Sequence, residues 1–218
     1  MAVELYDEHE QGERVRKWLR ENGFAIITGL ALAFSGIFGF RYWQDHQATQ
    51  KIVAADFFNV IQNDVEAGRT DRAEEQFDLM RAEVSRSVYV GLAGLAVAAG
   101  HVEDGRLESA ARLYREILGE RRMESLWPVT RLRLARVLHA QGDARAALSL
   151  LEERSAPAGF GAVWAEMRGD LLLALDRPTE ARLAFQEALE LAEGQRFGQR
   201  LLQMKIDATG PGVGEERS

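Results

Sequence analysis

The four histidines, His9, His46, His101 and His139, lie far apart, and none forms an HExxH or HxxxH pair that could hold a metal from one helix face. Cysteine is absent, which excludes disulfides, Cys-ligated zinc, iron–sulfur clusters and a thiol nucleophile. The chain has no glycine-rich phosphate loop and no strand-to-helix nucleophile elbow. Its many carboxylates are expected on solvated helix faces beside arginines, for example Glu116 with Arg112 one turn away. His101 is expected to face a helix interface rather than a reacting group. The chain therefore reads as non-enzymatic, with no catalytic residue, no metal site and no cofactor.

Such residues must be carried by helices. In 218 residues, 46% are apolar and 28% charged, a globular composition that excludes wholesale disorder. Four prolines and abundant leucine, alanine, arginine and glutamate favour helix throughout. The net charge of −7 opposes a nucleic-acid partner, because phosphate backbones repel an acidic surface.

The apolar residues are unevenly placed. From Asn22 to Phe40 no residue is charged. As a helix this run spans about 28 Å, close to a hydrocarbon core of roughly 30 Å. Trp18 precedes it and Tyr42-Trp43 follow it, as an interfacial belt requires. A cleaved signal peptide would have a shorter core and a small-residue cleavage site, whereas Arg41-Tyr42-Trp43-Gln44 follows here. A retained transmembrane anchor is expected. Arg14, Arg16, Lys17 and Arg20 lie before it, and only Arg41 and Lys51 follow within twenty residues. That bias places the N-terminus in the cytoplasm and the larger part across the membrane, which in a Gram-negative bacterium is the periplasm. Within the anchor, Ala25, Gly29, Ala33 and Gly36 fall on one stripe that offers close approach to another helix.

Beyond Lys51 the sequence repeats. The segments GRTDRAEEQF, GRLESAARLY, GDARAALSLL and DRPTEARLAF share one layout. Gly68, Gly105, Gly142 and Asp176 each precede an alanine (Ala73, Ala110, Ala147, Ala181) by five residues. A large apolar residue follows one turn later: Phe77, Tyr114, Leu151, Phe185. The period of 34–37 residues identifies a two-helix repeat, with a turn at the glycine and close helix crossing at the alanine. Ala98, Ala135 and Gly169 hold a matching small position in the first helices, where the first unit has Ile61 instead. The layout resembles the tetratricopeptide repeat, with Arg154 a departure where a small residue is usual. The segment QRFGQRLLQMKI is expected to cap the open end of the stack.

The expected fold is all-α: a single N-terminal transmembrane helix, then an α-solenoid of about four tetratricopeptide-like helix pairs. The expected boundaries are a cytoplasmic tail at 1–21, the transmembrane helix at 22–43, the periplasmic repeat domain at 44–205 and a disordered tail at 206–218. On the tetratricopeptide pattern, Leu92, Leu95, Val129, Arg136, His139, Val163 and Glu166 face the concave side, suited to an extended peptide or a partner helix.

The whole layout resembles the YfgM family, ancillary subunits of the SecYEG translocon. The matching segments include Tyr6-Asp7-Glu8, RENG before the anchor, RYWQDHQ after it, LRLARV at Leu132–Val137, RGDLLL at Arg168–Leu173 and QMKI at Gln203–Ile206. The resemblance implies a single-pass inner-membrane protein that associates with SecYEG and with the periplasmic chaperone PpiD, passing emerging proteins onward. It also implies, as an alternative, a signalling role in which the cytoplasmic tail restrains a response regulator of the RcsB kind.

Overall fold

The structure, a computed structural model, describes residues 4–192 and 196–210. The described residues contain helices and turns but no strand. The helices are α1 (Glu4–Glu66), α2 (Thr70–Glu83), α3 (Val88–Glu103), α4 (Leu107–Gly119), α5 (Trp127–Ala140), α6 (Ala144–Glu152), α7 (Gly161–Ala174), α8 (Pro178–Leu191) and α9 (Arg196–Ala208), with a 3-10 turn at Arg121–Leu126 before α5. The chain divides into two compact units, Met1–Ile52 and Val53–Ser218.

In the second unit the repeat is a repeat of hydrogen bonds as well as of residue types. The turn after the first helix of each pair is closed in the same way. The amide of Gly68 donates to the Val65 carbonyl and that of Arg69 to Asp64, at 2.9 and 2.8 Å. The same pair of bonds recurs at Gly105/Arg106, Gly142/Asp143 and Asp176/Arg177. This pattern satisfies helix-end carbonyls only if the residue at the turn adopts positive φ. Gly68, Gly105 and Gly142 have φ of 69°, 72° and 84°, and Asp176, standing where the glycine is missing, has φ 57°.

The next helix then starts from a fixed position. Asp143 caps α6 by accepting from the Ala146 amide at 2.9 Å, and Ser87 caps α3 by accepting from Tyr89 at 3.3 Å. Pro128 and Pro178 lie in the first turns of α5 and α8, where no amide donor is needed.

Packing follows the expected register. Ala73, Ala110, Ala147 and Ala181 are fully buried, as are Phe185 and, to within a few per cent, Phe77, Tyr114 and Leu151. Ala98, Ala135 and Gly169 are also buried, and Ile61 takes their place in the first repeat at full burial. Leu202 and Ile206 of α9 join the core, so α9 closes the end of the stack. That helix runs to Ala208, three residues past the boundary expected at 205, because Ile206 is its last core residue. The rest of the expected disordered tail, residues 211–218, lies outside the described residues.

α1 bends by 46° between its legs Gly12–Ala25 and Ile27–Glu66. Among the described residues no single helix is long and apolar enough to cross a membrane alone, while this bent pair qualifies by length and composition. The side chains of Phe24, Ile27, Leu32 and Phe38 are each more than half exposed. The polar side chain of Thr28 is satisfied locally, its hydroxyl donating to the Phe24 carbonyl at 2.8 Å.

Candidate partner-binding surface

The seven expected surface positions all fall on first helices of the pairs: Leu92 and Leu95 on α3, Val129, Arg136 and His139 on α5, Val163 and Glu166 on α7. Arg136, His139 and Val163 are exposed, and Leu92 and Val129 are half-buried. Leu95 is not available, since at 6% exposure it belongs to the core. Glu166 is already engaged. It accepts from Lys205 Nζ at 2.8 Å, and Lys205 also holds both oxygens of Asp170 at 2.7 and 2.8 Å. Burial alone would lower the Lys205 pKa, but the hydrogen bonds to Asp170 and Glu166 outweigh it and the pKa is raised. The terminal helix thus takes up Glu166 and Asp170 of α7, leaving Leu92, Val129, Arg136, His139 and Val163 as accessible candidates.

Neighbouring first helices are tied across this face. Arg133 of α5 donates to the Leu95 carbonyl of α3 at 3.3 Å. The surface combines apolar positions from three helices with basic groups on α5, a pattern suited to an apolar segment carrying acidic residues.

Sequence reasoning missed a groove of about 460 Å³ whose walls include Phe77, Val90, Gly94, Leu113, Ile117 and Met123. Its rim carries Arg81, which stacks 5.4 Å from the Phe77 ring centre and pairs with Glu116 at 2.9 Å. The opening depends on Gly94: a Cβ there would meet Phe77 Cζ at 3.2 Å and Ile117 Cδ1 at 3.3 Å. One repeat later the same position is Arg131, where Trp127 donates to the Ile117 carbonyl at 3.2 Å and Arg154 stacks 5.6 Å from its ring. The departure at Arg154 therefore has a packing role. In the last pair the position is Ala165, lining a second groove of about 330 Å³ with Trp164 and Arg168. Three glycines in the apolar α3, Gly91, Gly94 and Gly100, were the available signal.

The ion pairs differ from the expected local ones. Glu116 pairs with Arg81, and Arg112 with Glu74 at 3.1 Å, so both reach across helices rather than to each other. His101 does face an interface, 1% exposed, with Nε2 at 3.2 Å from Glu74 Oε2. Burial lowers its pKa below the ordinary value of 6.5, against the pull of Glu74. Among the described residues, no group of three or more His, Asp or Glu is placed to hold a metal ion.

The anchor stripe residues Ala25, Gly29, Ala33 and Gly36 are exposed, and a Cβ built on Gly29 or Gly36 meets nothing within 4 Å.

Comparison with known proteins covers both units. Residues 16–211 match the family described as Tetratricopeptide repeat-like domain. A protein named Ancillary SecYEG translocon subunit from Escherichia coli (strain K12) is 31% identical over 208 residues, covering 94% of this chain and 98% of its own. The chain belongs to the ancillary SecYEG translocon subunit family. A Haemophilus influenzae protein of the same name is 28% identical, and one from Neisseria gonorrhoeae 24%, each covering 95% of this chain and 99% of its own length. The family match takes in the apolar part of α1 as well as every helix pair, so the likeness is not confined to the repeats.

Proposed function

We propose that the chain is a membrane-anchored, periplasm-facing adaptor of the Sec translocon. The observation that carries this reading is near-full-length similarity to proteins named as ancillary SecYEG translocon subunits, joined to a stack of helix pairs with an open apolar–basic face. In this reading the transmembrane helix at 22–43 anchors the chain in the inner membrane with its N-terminus in the cytoplasm. The stripe Ala25, Gly29, Ala33 and Gly36 contacts a translocon or chaperone helix. Leu92, Val129, Arg136, His139 and Val163 receive a PpiD-like chaperone or a segment of an emerging protein. The fold offers positioning rather than chemistry, and no reaction step is assigned to it.

A second reading has the short N-terminal segment restraining an RcsB-like response regulator. Its basis is the charge of that segment, which carries six acids and four bases within residues 1–21 and is too short to fold alone. Deleting residues 2–12 separates the readings. Recovery of SecYEG with the tagged chain survives the deletion if the adaptor reading holds. Loss of signalling restraint on deletion, with no SecYEG recovered by the intact chain, favours the second.

A further inference from the structure

The first leg of α1, Gly12–Ala25, is bent away from the helix that follows and carries a short apolar stripe among charged residues. Val15, Trp18, Leu19 and Asn22 recur at spacings of three, one and three, which at about 100° per residue gathers them on one face. Val15, Trp18 and Leu19 are each more than half exposed, so among the described residues nothing covers that face. Arg14, Arg16, Lys17 and Arg20 occupy the remaining arc together with Glu13 and Glu21, four bases against two acids. Phe24 falls on the opposite side of the helix, but the run that follows is apolar all round, and exposed Leu30 and Ile37 continue the side of Val15 and Leu19.

We propose that this leg lies on the membrane surface, its apolar face among the acyl-chain ends and its bases on anionic lipid headgroups. Two features select lipid over a protein groove: continuity of the apolar face with the anchor, and a tryptophan where the headgroup boundary would fall. The 46° bend supplies the geometry. An anchor tilted by roughly 20° would bring the leg well toward the membrane plane. A straight helix would instead carry Val15 and Leu19 into water. The bases then bind phosphate-bearing headgroups, while their aliphatic stems cover the edge of the apolar face. The leg thereby fixes the rotation and depth of the anchor, and with them the direction in which Gly29 and Gly36 face a partner helix.

This inference rests on the anchor reading, and one experiment separates the two. The chain has no native cysteine, so single cysteines at Val15, Leu19, Glu13, Lys17, Leu30 and Phe34 can each carry a nitroxide in the full-length protein. The labelled chains are placed in nanodiscs of phosphatidylcholine with or without phosphatidylglycerol, and collision with oxygen is compared with collision with a water-soluble nickel chelate. The expected result is an oxygen-to-nickel ratio several-fold higher at 15 and 19 than at 13 and 17, with the contrast reduced when phosphatidylglycerol is omitted. Equal ratios at all four positions, with 30 and 34 oxygen-accessible, overturn the surface helix and leave the anchor standing. Nickel access at 30 and 34 overturns the anchor and the surface helix together. Protection of 15 and 19 that appears only when cytosolic protein is added overturns the lipid assignment in favour of a protein partner.

Discussion

A Cβ placed on Gly169 would stand 2.4 Å from Cε1 of Phe185, closer than packed carbon atoms come. These residues lie on α7 and α8, and their contact sets how closely the two helices cross. Gly169→Ala should therefore destabilise the repeat domain by about 1–3 kcal/mol, read from the thermal or urea midpoint. Gly169→Ala combined with Phe185→Leu should recover part of the loss, because the ring that blocks the new methyl is gone. Full stability of the single variant would show that the crossing is looser than the structure has it.

The turns give a paired test of opposite sign. Gly142 and Asp176 sit at equivalent positive-φ turns. Gly142→Ala should cost about 1 kcal/mol, since an L side chain is disfavoured there. Asp176→Gly should gain up to about 1 kcal/mol by removing that same penalty, partly offset by greater freedom of the unfolded chain. Shifts of the same sign in both variants would contradict the equivalence of the turns.

Much of this was legible in the sequence, and for physical reasons. A tight helix turn needs positive φ, which leaves glycine at three of the four positions and a short polar residue at the fourth. A close crossing needs alanine or glycine at Ala147, Ala181 and Gly169. Pairings between side chains on different helices were not legible. Glu116 and Arg112 are neighbours in sequence, but Glu116 is held by Arg81 and Arg112 by Glu74, each 35 or more positions away. Leu95 and Glu166 were assigned to the open surface by repeat position alone. Burial of the first and capture of the second by Lys205 depend on what packs over them, which the repeat register does not encode.

His101 of α3, packed against α2, gives the repeat domain a pH dependence. Its folded-state pKa lies below 6.5, so the native state binds fewer protons than the unfolded chain just below that value. The stability contributed by neutral His101 is present above about pH 6.5 and is lost as pH falls through the folded-state pKa. Chemical denaturation between about pH 7 and pH 5.5 should show stability falling with pH, and His101→Gln should flatten that slope. Glu74 of α2 faces the ring, and Arg106, Arg112 and Asp104 also act on it. An unchanged slope in the variant would place the titrating group elsewhere.

The anchor stripe makes a prediction about association rather than stability. Gly29→Leu with Gly36→Leu should reduce recovery of SecYEG or a PpiD-like chaperone, because bulk there prevents close helix approach. Leu30→Ala with Phe38→Leu should leave recovery unchanged. Both pairs keep the segment apolar, so insertion is checked in each by expression and cysteine accessibility. Normal recovery of both partners by the glycine double variant would move the contact to the repeat domain.

The central claim is that the chain works as a subunit at the Sec translocon. The direct measurement is native gel migration of the endogenous-level, C-terminally tagged chain in a mild-detergent extract of its own membranes, with the proteins in each band identified. A band containing both the chain and SecYEG subunits is expected, retained when residues 2–12 are removed. Intact SecYEG and intact chain migrating in separate bands, with no shared species, would contradict it.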